Sequence, residues 1–173
     1  MGRAILFAAC SALLAVCSAQ TSPVTTVTSQ TIASKAQSES PKAVLQALVS
    51  AFNRHDFAEI DALLAPEGVY EDFAARFRGV GPAQVKDFLR GVIQEEPDFS
   101  WKLTTVIESG SIVIAEWTWT STFTGEGPDG KHVAAQKISG RGATIAMIVN
   151  GQIRQLHDYY DSASFFPKAP NRR

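Results

Sequence analysis

Two short patterns carry side chains able to do chemistry: Tyr70-Glu71-Asp72 and Asp158-Tyr159-Tyr160. In an extended segment alternate residues share a face, so Tyr70 and Asp72 point one way, and Leu156, Asp158 and Tyr160 share a face of their own strand. An acid between two bulky residues on a strand face is either solvated at a strand end or held in a cavity. In a cavity, two carboxyl groups whose surroundings push their pKa values apart work as a general acid and a general base. Trp117 and Trp119, two apart on another extended stretch, are either core or a flat platform for an apolar, cyclic ligand. The candidate site is therefore Asp158, Asp72 and Tyr70 for chemistry, with Trp117, Trp119, Leu156 and Tyr160 against the ligand.

Other chemistries find less support. His157 neighbours Asp158, but adjacent strand residues face opposite sides, so the two are not a dyad. His55 and His132 fall at turns, no His/Cys/Asp grouping has metal-ligand spacing, and no Gly-x-Ser-x-Gly occurs. No cofactor is called for. Arg76 and Arg78 either rim a pocket mouth or sit in solvent.

The elements that position these residues follow from periodicity. Ser40-Pro41 is an N-cap followed by a first-turn proline, and Val44, Leu45, Leu48, Val49 and Phe52 then recur at helical spacing. Asp56 with Glu59 is a capping-box-like start for a short second helix, which Pro66-Glu67-Gly68 stops. Val69–Phe73 reads as a strand and Ala74–Val80 as a loop. Gly81-Pro82 opens a third helix with Val85, Phe88, Leu89, Val92 and Ile93 inward. The period then changes to two. Ser100–Glu108 is a strand with Trp101, Leu103, Thr105 and Ile107 on one face. Ser111–Thr124 follows, with Val113, Ala115, Trp117, Trp119 and Phe123 on one face. Lys131–Val149 is another strand, with a bulge or bend expected at Gly140-Arg141-Gly142. Asn150-Gly151 is a hairpin turn into the last strand, and Ser162–Phe166 a final turn. The fold class is α+β: a curved, mostly antiparallel sheet forming a cone, with three helices on its concave face.

The ends bound the rest. Arg3, the apolar run from Ala4 to Val16 and Cys17-Ser18-Ala19 have the form of a secretory signal peptide cleaved after Ala19, and the run is short for a membrane span. Anchoring through a lipidated Cys17 is the less favoured reading, because Val16 is bulky for the preceding position. Both cysteines, Cys10 and Cys17, lie in this segment, so the mature chain has no disulfide and no thiol nucleophile. The domain organisation expected is a signal peptide at 1–19, a disordered Ser/Thr/Gln-rich linker at 20–39, one domain at 40–166, and a flexible basic tail at 167–173. The formal net charge of −1 gives no sign of a nucleic-acid partner. Placement is secreted or periplasmic.

On three stretches the chain resembles the nuclear transport factor 2-like superfamily, in particular SnoaL-like polyketide cyclases, limonene-epoxide hydrolases and ketosteroid isomerases. Residues 56–72, ending in Val69-Tyr70-Glu71-Asp72, resemble the family's second helix and first strand. Gly79-Val80-Gly81-Pro82-Ala83 resembles its entry to the third helix, and Gly151-Gln152-Ile153 with Asp158-Tyr159-Tyr160-Asp161 its last strand. The resemblance covers residues 41–166 and implies a cone-shaped pocket for a small apolar molecule. Relative to limonene-epoxide hydrolases, it implies that Asp158 is the base and Tyr70 a holder of water. Asp72 stands in place of their asparagine, and Trp117 and Trp119 stand where they carry an Arg-x-Asp. Relative to ketosteroid isomerases, Asp72 matches the base, while Leu48 replaces the oxyanion-hole tyrosine and residues 131–149 hold no carboxylate. Two functions stay open: a cofactor-independent isomerase, cyclase or hydrolase using aspartate acid–base chemistry, or a non-catalytic small-molecule-binding protein. The outer sheet face, with Tyr159, Ile114 and Ile153 beside Glu116, Thr118 and His157, suits a homodimer contact.

Overall fold

Ser40 and Pro41 start the first helix as their types dictate, the Ser40 hydroxyl accepting from the Ala43 amide at 3.2 Å. The computed structural model describes residues 39–127 and 130–162. The expected signal peptide with both cysteines, nearly all of the linker, the end of the final turn and the tail lie outside the described residues. Helix α1 is Pro41–Asn53, α2 Phe57–Leu63 and α3 Gly81–Glu95. The strands are β1 (Leu64–Asp72), β2 (Phe77–Val80), β3 (Ser100–Ser109), β4 (Ile112–Glu126), β5 (His132–Val149) and β6 (Gln152–Tyr160). They form one curved, unclosed sheet in the order β2-β1-β6-β5-β4-β3, antiparallel throughout except where β1 runs parallel to β6. The fold class is as the sequence indicates. Among the described residues no helix is long and apolar enough to cross a membrane.

Several details differ from expectation. The first strand begins at Leu64, so Pro66-Glu67-Gly68 lies inside β1, where a register shift against β6 accommodates it. The stretch expected as a loop from Ala74 to Val80 contains β2, an edge strand too short to show a period. Two faces are also reassigned. In β3 a register shift between Leu103 and Thr105 turns Val106 inward and leaves Ile107 exposed. In β6 a shift where Met147 and Ile148 meet Gln155 and Ile153 puts Ile153 in the core rather than on the outer face. Both errors have one cause, because a single extra residue flips every later side chain to the other face. Gly140–Gly142 stays in continuous register with β4, so no bulge forms there. Gly142 is needed for another reason. A Cβ on it would lie 2.5 Å from the Trp117 ring and 2.5 Å from the Tyr159 carbonyl.

The core fills the closed part of the cone. Val44, Leu45, Leu48 and Phe52 of α1 pack on Val113, Ala115, Ala146 and Ile148 of β4 and β5 and on Ile153 and Leu156 of β6. Asn150 and Gly151 both take positive φ, 53° and 73°, the primed-turn geometry that Asn-Gly favours. That turn sets β6 beside β5. Continued to its end, β6 leaves the apolar core and reaches a second cluster around Trp117, Trp119, Phe123 and Ile138.

Candidate functional site

The parallel pairing of β1 with β6 makes the site. Tyr70 lies opposite Leu156 and Asp72 opposite Asp158, so both acids emerge side by side on one face. Both are buried, at 4% exposure each. The two strands exchange tyrosines. Tyr70 of β1 donates to Asp158 Oδ2 at 2.9 Å, and Tyr160 of β6 donates to Asp72 Oδ2 at 2.9 Å. The remaining oxygens are also held. Asp72 Oδ1 accepts from the Ala75 amide at 2.8 Å, which shapes the turn into β2. Asp158 Oδ1 accepts from the Thr144 hydroxyl, which in turn accepts from Trp117 Nε1 at 2.8 Å.

Thr144 is absent from the sequence reading. Counting back from an ideal Asn150-Gly151 hairpin pairs Asp158 with Ala143. The register shift in the hairpin moves the pairing to Thr144, which is fully buried. The shift that misassigned Ile153 thus hid this contact too.

These groups floor a cavity of about 270 Å³. Trp101, Trp117 and Trp119 line it with Tyr70, Tyr160 and both aspartates, while Phe88, Leu89 and Val92 of α3 and Phe52 of α1 face them. The rings are packed against one another. Phe99 stacks on Trp119 with centroids 5.3 Å apart, and Trp101 stands edge-on to Trp117 at 5.8 Å. Of the expected ligand contacts, Trp117, Trp119 and Tyr160 line the cavity. Leu156 does not: it is packed in the main core. Glu95 and Glu96, absent from the sequence reading of the site, also face the cavity, and Ser121 donates to Glu96 at 2.6 Å. No local pattern marks them: Glu95 is the last residue of α3 and Glu96 its C-cap, and it is the docking of that helix end that brings both to the cavity. His157 lies on the outer face against Phe73, with ring centroids 5.8 Å apart. Among the described residues no cluster of His, Cys, Asp or Glu is placed to hold a metal ion.

Burial governs the electrostatics. Desolvation raises Asp158 to about 7, with the Thr144 and Tyr70 hydrogen bonds opposing and the Asp72 charge adding. Asp72 is raised by desolvation as well, against the pull of the Ala75 amide and Tyr160. Glu96 is raised from the same cause, against the Ser121 hydroxyl. Tyr70 and Tyr160 move up, first from desolvation and then from the neighbouring carboxylates, so both stay hydroxyl donors at neutral pH. Asp158 is the group whose protonation changes near neutrality while it is already held in a fixed orientation. Such a group can take and return a proton.

A family model for the SnoaL-like domain matches residues 45–156. No curated protein matches the chain significantly. Among solved structures, an LEH-like epoxide hydrolase from M. tuberculosis is 22% identical, with a TM-score of 0.59, covering 73% of this chain and 86% of that one. A Catenulispora acidiphila protein with a ketosteroid isomerase-like fold, in complex with trimethylamine, is 19% identical, with a TM-score of 0.62 and coverages of 70% and 88%. IdmH, a candidate polyketide cyclase from Streptomyces antibioticus, is 14% identical, with a TM-score of 0.65 and coverages of 73% and 96%. At these identities the likeness carries the fold alone.

Proposed function

The chain belongs to the SnoaL-like domain family, and from that premise we propose an exported protein that binds a small apolar molecule in the aromatic cavity and acts on it without a cofactor, as an isomerase, cyclase or hydrolase. Asp158 is the general base and Asp72 its acidic partner. The observation that carries this reading is Asp158 itself: buried, oriented by Tyr70 and Thr144, and raised to about 7. Its carboxylate takes a proton from a carbon beside a carbonyl, or from a water. The resulting acid returns that proton to the product. Tyr70 holds the carboxylate in place, and Trp117 acts on it through Thr144. The aromatic walls exclude water, which keeps the base undersolvated and reactive.

A second reading, a binding protein without turnover, draws on the same hydrogen bonds. Tyr70, Tyr160, Thr144 and Trp117 all direct their donors to the acids or to each other rather than to the open space. A thermal-shift ligand screen, with mass spectrometry of what co-purifies, separates the two. On the catalytic reading, Asp158→Asn retains the ligand and leaves it unconverted. Conversion at the wild-type rate by that variant would rule the base assignment out.

Export rests on the apolar run from Ala4 to Val16 followed by Cys17-Ser18-Ala19. A mature chain beginning at Gln20 is the expected product, and a lipid-modified Cys17 would contradict it. A homodimer through the outer sheet face completes the proposal. Ile107, Ile114 and Ile145 pair across β3, β4 and β5 and are all exposed, and Tyr159 is exposed on β6. An apolar row of this kind suits contact with a second copy.

A further inference from the structure

One carboxyl of the cavity stands outside the Asp158 network. Glu96 caps the C-terminal end of α3, is half-buried and lines the cavity. Backbone and side chain both fix its place. Its amide donates to the Val92 carbonyl at 2.8 Å, its own carbonyl accepts from the Phe99 amide at 3.1 Å, and its Oε2 accepts from the Ser121 hydroxyl at 2.6 Å. Phe99, placed by that turn, stacks on Trp119, and both rings line the cavity. Ser121 is buried on β4, three inward positions beyond Ala115, whose row across the sheet carries Thr144 and Asp158. Glu96 and Asp158 therefore mark two ends of the cavity.

The hydrogen bonds leave Glu96 with an oxygen to offer. Tyr70, Tyr160, Thr144 and Trp117 direct their donors to the aspartates or to each other, and each aspartate oxygen receives a donor. Among the described residues no hydrogen bond reaches Glu96 Oε1, and no Lys, Arg or His lines the cavity to offset its charge. Burial raises this carboxyl, the Ser121 bond opposes, and the charges of Glu95 and Asp98 add. Glu95, its neighbour, is exposed to water. A carboxylate oxygen shielded from water by a ligand is costly unless the ligand donates to it, so the group that meets Glu96 is a donor.

We propose that Glu96 is a specificity-determining residue, its Oε1 accepting a hydrogen bond from a hydroxyl or ammonium group on the ligand at the end of the cavity away from Asp158. The inference rests on the cavity being the ligand site and adds the polar group by which the ligand is chosen and the way round it lies. In the catalytic reading that contact turns the reacting part of the ligand toward Asp158.

Three probes on one skeleton test this by calorimetry at pH 8. 2-Naphthol carries a neutral donor, 2-(aminomethyl)naphthalene carries an ammonium, and 2-methoxynaphthalene has an oxygen with no proton to give. Wild type should bind at least one of the two donors about tenfold tighter than the methoxy compound, the scale of a hydrogen bond to a charged group. The donor that gains more tells a hydroxyl from an ammonium, and either preference sustains the assignment. Glu96→Gln keeps the shape and an acceptor for Ser121 and removes the charge. It should cut the donor's advantage to about threefold or less and change the methoxy compound by less than about twofold. Equal binding of donors and methoxy compound by wild type, or an advantage undiminished in Glu96→Gln, would overturn the Glu96 assignment while leaving the cavity reading intact. Failure of wild type to bind any of the three would contradict the cavity reading itself. A second readout uses wild type directly. The 13C resonance of the Glu96 carboxyl, assigned by its absence in Glu96→Gln, should move on saturation with the preferred donor and stay in place with the methoxy compound. An unmoved signal with the donor would refute the contact.

Discussion

The same strands build two unlike ends of this molecule. Along β4, Val113 and Ala115 face the apolar core and Trp117 and Trp119 face the cavity; along β6, Ile153 and Leu156 give way to Asp158 and Tyr160. At the closed end the interior is sealed by α1 and contains no charge. At the open end the same inward face carries two buried acids whose four oxygens are each held by a donor. Alternation along a strand decides which side chains point inward. How closely the helices pack against them decides whether inward means core or cavity. The closed end stabilises the fold, while the open end gives up some stability to hold two buried acids.

The contrast is broken most strongly at the closed end. Leu45→Ala, at a fully buried position, should cost about 2–5 kcal/mol in denaturant unfolding. Leu89→Ala removes a partly exposed side chain that already borders open space, and should cost about 1 kcal/mol or less. Equal losses at the two sites would erase the distinction. Gly142→Ala lies where the two regions meet. Its Cβ clashes with the Trp117 ring and the Tyr159 carbonyl, so a loss on the order of 1–3 kcal/mol and a changed tryptophan emission are expected.

Asp158→Asn should act in the opposite direction. With the folded-state pKa raised to about 7 from an ordinary 3.8, the native protein keeps a proton that the unfolded chain releases. Stability from this site is therefore greatest below about pH 4, falls as pH rises from about 4 to about 7, and is flat above that. The Asn variant lacks this fall, so above pH 7 it should be the more stable protein, on the order of 1–3 kcal/mol. Thermal unfolding from pH 4 to pH 8 would show the gap opening across that window, and a gap independent of pH would contradict it. The smallest effect on folding is expected on the outer face. Ile114→Lys should change monomer stability by less than about 0.5 kcal/mol yet shift light scattering from dimer to monomer. A monomeric wild type at high micromolar concentration would remove the dimer.

Much of this was legible in the chain. The helix starts at Ser40 and Asp56 and the Asn150-Gly151 turn are local signals, fixed by capping and by the dihedrals a turn demands. Alternation put Tyr70 with Asp72, Asp158 with Tyr160 and Trp117 with Trp119 on shared faces, and the resemblance to a cone-shaped family supplied the inward direction. What was not legible depends on pairing between distant segments. The parallel contact of β1 with β6, the crossed tyrosines and the Thr144 bond all follow from register, and register depends on bulges that no residue type announces. Ile107 and Ile153 were placed on the wrong faces for the same reason. Glu96 enters the site because the C-terminal end of α3 docks at the cavity, and Leu156 leaves it because its side chain packs into the main core.

The central proposal is that Asp158 is a base poised near neutrality in the aromatic cavity. Its most direct test is the 13C resonance of the Asp158 carboxyl group followed from pH 3 to pH 9, assigned by its absence in Asp158→Asn. The account predicts a titration midpoint near pH 7. A midpoint near 4, the value of a solvated aspartate, would contradict it.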